Sequence, residues 1–317
     1  MPALLEAQSL AKHYGGVHAL DGVDFTIEPG ITGLLGANGA GKSTALKLFL
    51  GLIDPTEGRA IFEGVDVASS PRVRQRLGYM PEHDCLPGNV DAVEFLSYMA
   101  QLSGLPRHDA RVRAADTLRH VGLEEERYRT LGTYSTGMKQ RVKLAQALVH
   151  DPALALLDEP TAGLDPMGRQ QMLELIEHIG REFGISVVLS SHLMGDVERT
   201  CDRVIVLEAG RVSREGSVAG FTTETTTLAI QVSEGADALT EELRRRGLDP
   251  RPDGPSLILE SVEEDAYDIV RDAVVASGAL LYSMAPRQHS LTELFRDDLA
   301  PNAAPAAGEP AATEEPS

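Results

Sequence analysis

Cationic side chains are outnumbered in this sequence: 29 Lys and Arg stand against 48 Asp and Glu, a formal charge of −19 at pH 7. A broad interface with a phosphate backbone needs clustered Lys and Arg, so nucleic acid is not an expected partner. A local basic patch stays open, and acidity alone signals little more than a solvated surface. Cysteine is scarce. Cys85 and Cys201 lie far apart without metal-type spacing, which argues against a disulfide framework and fits a reducing cytosol. Tryptophan is absent and aromatics make up 4%. The longest apolar runs, such as 48–50 and 153–157, fall far short of the ~18 residues of a membrane span. The first residues lack a basic region followed by a long apolar stretch, so no signal peptide is expected. If the protein works at a membrane, another chain must supply the spans.

What is present suffices for a sizeable core. The 317 residues are 42% hydrophobic, enough for one large domain or two smaller ones. Strand-like stretches at 23–27, 31–35, 154–157, 186–189 and 203–207 alternate with helix-like stretches at 43–50 and 167–183. The runs at 154–157 and 186–189 are apolar on both faces, as central parallel strands are. The pattern predicts an α/β, doubly wound sheet. Helical periodicity at 90–102, at 111–121 and from about 136 to 148 marks a helical insertion spanning about 86–150. Composition shifts near Gly220, and 222–226 reads as a polar linker. Beyond it, strands at 228–232, 256–260 and 279–284 and helices at 237–246, 265–276 and 291–299 predict a small α+β module over 227–299. Residues 300–317, rich in Ala, Pro and Glu, read as a disordered tail.

Three motifs carry chemistry. Residues 36–43 read Gly-Ala-Asn-Gly-Ala-Gly-Lys-Ser, a complete phosphate-binding loop between a strand and a helix. Gly36, Gly39 and Gly41, with Asn38, let the backbone curl so that several N–H groups meet one oxyanion. The helix that follows adds its positive end. Lys42 is expected on the β- and γ-phosphates, Ser43 on Mg²⁺, and Thr44 on a phosphate. A glycine-rich turn with a chance Lys-Ser is the plainer alternative, and the flanking strand and helix disfavour it. Next, the strand at 154–157 delivers Asp158 and Glu159 at its end, where ligands sit in such sheets. Asp158 suits Mg²⁺ through water, and Glu159 suits a general base for the attacking water. Finally, 133–141 reads Thr-Tyr-Ser-Thr-Gly-Met-Lys-Gln-Arg, where Ser135 and Gly137 open a helix whose N–H groups can face an anion.

Together these motifs resemble the ATP-binding subunit of an ABC transporter over about residues 4–216. Residues 36–44 resemble Walker A, 154–159 Walker B, and 134–138 the family signature with Tyr, Thr and Met substituted. The resemblance implies a P-loop NTPase fold of ABC type with a helical subdomain. It places Tyr14 on the adenine ring, the loop 162–165 at the contact between subunits, and His192 on the γ-phosphate as a switch. Other histidines, such as His83, His108 and His178, lack that context and read as solvated. Glu82 departs from the family's Gln after the strand at 77–81. It is a weak Mg²⁺ ligand by this reading, or a solvated loop acid, because an ionised carboxylate offers only acceptors. The family pairs two subunits head to tail, homodimer or heterodimer, so that Ser135 and Gly137 serve the partner's ATP. A separate transmembrane permease subunit is implied, with this chain peripheral on the cytoplasmic face. The signature, the loop at Glu82 and the appended module resemble the ABC-2 exporter branch, whose members move drugs, antibiotics, polysaccharides or ions outward. The module then aids dimerisation or regulation, or merely stabilises the chain. A soluble ABC-type ATPase acting on nucleic acid or ribosomes and a scaffold without turnover are the other readings.

Overall fold

A computed structural model describes residues 3–221, 224–253, 256–259 and 266–288. The chain opens with an antiparallel layer. Strands β1 (Leu5–Tyr14) and β2 (Val17–Ile27) pair antiparallel, and β4 (Glu57–Phe62) and β5 (Val65–Asp66) extend the sheet in the order β2-β1-β4-β5. The strand expected at 23–27 belongs to this layer, as the end of β2, and not to the central sheet. Period-two alternation in β1 is hidden by a bulge. Ser9 sits at φ 44° and the register shifts between Ala7 and Leu10, so Leu10 turns inward out of phase with Leu5 and Ala7.

The central sheet follows from apolar runs that can be buried on both faces. Its order is β10-β9-β3-β8-β7-β6, built from β3 (Ile31–Leu35), β6 (Leu77–Met80), β7 (Leu154–Asp158), β8 (Ser186–Ser191), β9 (Arg203–Glu208) and β10 (Arg211–Ser217). All neighbours are parallel except the antiparallel edge strand β10. Alternate residues serve two cores. Leu154 and Leu156 face a cluster with Leu46 and Phe49 of α1 (Lys42–Phe49) and the antiparallel layer. Ala155 and Leu157 face Leu144, Ile176 and Val197 of α4 (Thr136–Leu148), α5 (Pro166–Glu182) and α6 (Met194–Thr200).

Helices α2 (Ala92–Leu102) and α3 (Arg107–His120) pack with α4 around a third cluster, which includes Leu96, Leu118 and Val142. Helix α4 therefore belongs to two cores. Leu144 and Leu148 lie on the sheet side, and Val142, Ala145 and Val149 lie on the insertion side. At its far end, the His150 Nε2 lies 3.0 Å from the Leu77 carbonyl, and burial holds the ring's pKa below the ordinary 6.5. The unfolded chain therefore takes up the proton first as pH falls below about 6.5, so stability present above that pH is lost on the way down to the folded-state value. Between pH 7.5 and 5.5 the melting temperature should fall less steeply for His150→Gln than for the parent. Equal slopes in thermal scans would remove His150 from the account.

After α7 (Val218–Phe221) come β11 (Glu224–Glu234), α8 (Ala236–Arg245), β12 (Arg251–Asp253), β13 (Ser256–Leu259), α9 (Ala266–Ser277) and β14 (Leu280–Gln288). The sheet order is β12-β13-β11-β14 with every neighbour antiparallel. This is the split β-α-β-β-α-β arrangement of ferredoxin-like folds. Leu228, Ile230, Leu239, Leu243, Leu257 and Val270 share its core. The linker expected at 222–226 is shorter than the sequence suggested. Glu224 already pairs with Gln288, and the β-branched threonines at 225–227 suit a strand. The helix expected at 291–299 and the tail at 300–317 lie outside the described residues.

Candidate functional site

Four neighbouring strands, β3, β8, β7 and β6, run parallel, so their C-terminal ends open on one edge of the sheet. The chain segments leaving those ends carry Lys42, His192, the Asp158–Glu159 pair and Glu82 respectively. Positions spread from 36 to 192 in sequence thus become neighbours in space.

The loop after β3 has two places where a side chain cannot fit. A Cβ on Gly36 would sit 2.5 Å from the Leu207 carbonyl, and one on Gly41 would sit 2.4 Å from the Ala19 carbonyl. Gly41 also holds φ 105°, and as N-cap of α1 it offers no capping side chain. The first-turn N–H groups of α1 are left for an anion. Asn38, Gly39, Gly41, Lys42, Ser43 and Thr44 line a cavity of about 270 Å³, closed by Ala19, Glu82 and Glu159.

Lys42 is 6% exposed and donates to the carbonyls of Gly36, at 2.7 Å, and Ala37, at 3.3 Å. Its ammonium also lies 3.2 Å from Glu159 Oε1. That contact is an ion pair without hydrogen-bond alignment, so Oε1 is buried with no hydrogen-bond donor. Glu159 Oε2 faces His192 Nδ1 at 2.9 Å. Glu159 sits at φ 46°, a conformation that costs a non-glycine residue about 1–3 kcal/mol and that clusters at functional sites. The Ser43 hydroxyl donates to Asp158 Oδ1 at 3.0 Å. Ser190, which the sequence reading passed over, donates to the same oxygen at 2.8 Å and accepts from the Glu159 N–H at 2.9 Å. It ties the Asp158 carboxylate and the Glu159 main chain to β8. No sequence motif marks it beyond its place at the end of an apolar strand.

Ser135 and Gly137 stand apart from this cavity and do not line it. Ser135 caps α4, accepting from the Met138 N–H at 3.3 Å. Gln140 on the same helix donates to the Ala162 carbonyl at 2.9 Å, and Asp165 caps α5 by accepting from the Gly168 N–H. The loop 162–165 is thus braced against the helix that Ser135 opens. Tyr14 closes the β1–β2 hairpin and is 50% exposed, with the Lys12 ammonium 5.2 Å from its ring centre. On the same hairpin His13 and His18 stack at 4.0 Å, and Asp21 is held by Arg211 through Nε and Nη2. That guanidinium pulls the Asp21 carboxyl below its usual range. Among the expected solvated histidines, His83, His108 and His178 are exposed.

Donor and acceptor chemistry fits a nucleoside triphosphate with magnesium. Lys42 and the end of α1 would meet the phosphates, while Ser43 and Asp158 offer oxygen ligands of the kind a hydrated cation takes. Fold and site together define a P-loop ATPase. The ABC transporter family profile matches residues 20–162. The Nod factor export ATP-binding protein I of Burkholderia pseudomallei is 40% identical over 68% of this chain and 71% of its own length. The methionine import ATP-binding protein MetN of Caulobacter vibrioides is 39% identical over 68% of this chain and 67% of its own. Among solved structures, the dimeric post-hydrolysis state of the ATP-binding cassette MJ0796 bound to ADP and Pi superposes with a TM-score of 0.62. It is 26% identical, covering 68% of this chain and all of that one. The chain belongs to the ATP-binding subunits of ABC transporters, and it is an ATPase.

Proposed function

We propose that this chain powers an ABC-2 type exporter as one of two ATPase subunits that close head to tail on ATP, bound peripherally to a separate membrane-spanning permease. The observation that carries the dimer is the half-built site: Ser135 and Gly137 open a helix whose free end does not line the chain's own phosphate cavity. A second copy, identical or not, would bring that end over the γ-phosphate. The solved relative MJ0796 is itself a dimer.

Within each half-site the proposed roles are these. The backbone of Gly36, Asn38, Gly39 and Gly41 with Lys42 and Thr44 holds phosphates, and Tyr14 stacks on the base. Ser43 and Asp158 hold Mg²⁺, with Glu82 as a weaker ligand. Bound there, Mg²⁺ would supply neutralisation of phosphate charge. Glu159 accepts the proton of the attacking water, and His192, already on its Oε2, orients that carboxylate and senses the γ-phosphate.

Among the described residues, no helix is long and apolar enough to cross a membrane, which fits spans carried by another chain. The cytoplasmic helix of that partner suits the groove on α2 and α3, a cavity of about 480 Å³ lined by Glu94, Tyr98, Arg107, Arg111 and Tyr128 among others. Glu82 lines the phosphate-loop cavity and not this groove. Export is favoured over import by the exporter-type signature and the appended module. The two relatives described above serve opposite directions, import and export, at nearly equal identity to this chain. We assign residues 1–220 to the ATPase and 227–299 to an accessory module that aids pairing or regulation.

The test is the ATPase rate per subunit against protein concentration. It should climb with concentration and collapse for Ser135→Arg, while nucleotide binding by that variant persists. A rate independent of dilution, with the monomer fully active, would refute the composite site.

A further inference from the structure

Among the described residues two lysines are buried. Lys42 belongs to the phosphate loop. Lys143, on α4, is 2% exposed and makes no ion pair with a described carboxylate within 4.0 Å. Burying an ammonium is costly unless its protons are satisfied. Here they are: Nζ donates to the carbonyls of Pro81 and Glu82 at 2.8 Å each and of His83 at 3.4 Å. Three donors meet three successive main-chain acceptors, the full capacity of the group. Burial still pulls the ammonium below the ordinary lysine range. One helical turn earlier, on the same face of α4, Lys139 Nζ meets Asp84 Oδ2 at 2.8 Å. That pairing holds the Asp84 carboxyl below its usual range.

Residues 81–84 are therefore bolted to α4 at four consecutive positions. The loop leaves β6, and its Glu82 lines the phosphate cavity. Helix α4 is itself held in two cores and begins at the cap Ser135. We propose that Lys143 and Lys139 are positioning residues that fix the Glu82 loop to α4, so that one rigid helix sets both the place of Glu82 at its own phosphate cavity and the place of Ser135 at its free end. The loop anchoring stands on these contacts alone. The consequence for Mg²⁺ rests on the role proposed above for Glu82.

Cys85 supplies a built-in reporter, since it follows Asp84 and is exposed, whereas Cys201 is buried with its thiol pushed far up. A thiol reagent such as Ellman's reagent should therefore modify Cys85 first. In Lys143→Met we expect that reaction to accelerate about fivefold or more, with a smaller acceleration in Lys139→Ala, whose partly exposed ion pair is dispensable for folding. Loss of the nearby positive charge alone would raise the thiol's pKa and slow the reaction. Acceleration thus reports loop release. Unchanged or slower labelling in both variants overturns the proposal, and Lys139→Ala decides it should Lys143→Met not fold. In the ATPase assay, Lys143→Met should lower kcat severalfold at little change in KM for ATP and raise the Mg²⁺ concentration for half-maximal rate, with partial rescue by Lys143→Arg. Faster labelling with an unmoved Mg²⁺ requirement would support the anchoring and overturn the role of Glu82 as a metal ligand.

Discussion

Glu159→Gln should cut ATP turnover by about 10²–10⁴-fold, the range over which a positioned general base contributes. The substitution keeps the side chain's size and removes its basicity. It also removes the anion that sits 3.2 Å from Lys42. In the parent, phosphates must draw the Lys42 ammonium away from Glu159. In the variant that competitor is gone, so ATP affinity should be equal or tighter. Trapped between undiminished binding and absent hydrolysis, the protein should accumulate as an ATP-bound dimer on size exclusion. Phosphate release within twofold of the parent would show that Glu159 is not the base, and would leave a nucleotide-binding scaffold as the better description.

Lys42→Ala should act at the opposite end of the same ion pair. Hydrogen bonds to charged groups contribute about 1.5–3 kcal/mol each, so ATP binding should weaken by about 10- to 150-fold, and turnover should fall at least as far. A second effect is specific to this geometry. Glu159 is 7% exposed, and with Lys42 gone its Oε1 keeps neither an ion-pair partner nor a hydrogen-bond donor. Breaking a buried pair from one side typically costs about 3–5 kcal/mol. The His192 contact on Oε2 should limit the loss here. The nucleotide-free variant should therefore melt below the parent, and the double variant Lys42→Ala/Glu159→Gln should recover part of the difference. Calorimetry on the four proteins measures the coupling directly. Strict additivity would mean the pair contributes nothing to stability.

The chemistry-bearing motifs were legible in the sequence because each compresses into a few adjacent residues. The phosphate loop, the Asp158–Glu159 step and the Ser135 cap all follow from local pattern. What joins them was less legible. Ser190 links Asp158 to Glu159 from a different strand, and a serine ending an apolar run announces nothing. Lys143 reads as one more polar position on α4, and only its burial beneath residues 81–83 reveals what it holds. Strands were lost where pairing, not pattern, makes them. The Ser9 bulge masks β1, and β12 is three residues containing a proline. Missing β12 hid the ferredoxin-like order of the last module, which needs two adjacent strands between its helices.

The central sheet also has a history during synthesis. Strand β3, which leads into the phosphate loop, has two neighbours, β8 and β9, and the later of these ends at Glu208. A ribosome adds about 5–20 residues per second, so β3 waits about 10–30 s as an unpaired, mostly apolar edge. Antiparallel β1 and β2, made beforehand, can fold at once on microsecond timescales. The nascent chain thus passes through a long interval in which its hairpin is formed and β3 is still unpaired. Slow translation between residues 36 and 186 would lengthen that exposure, and chaperone dependence should concentrate there.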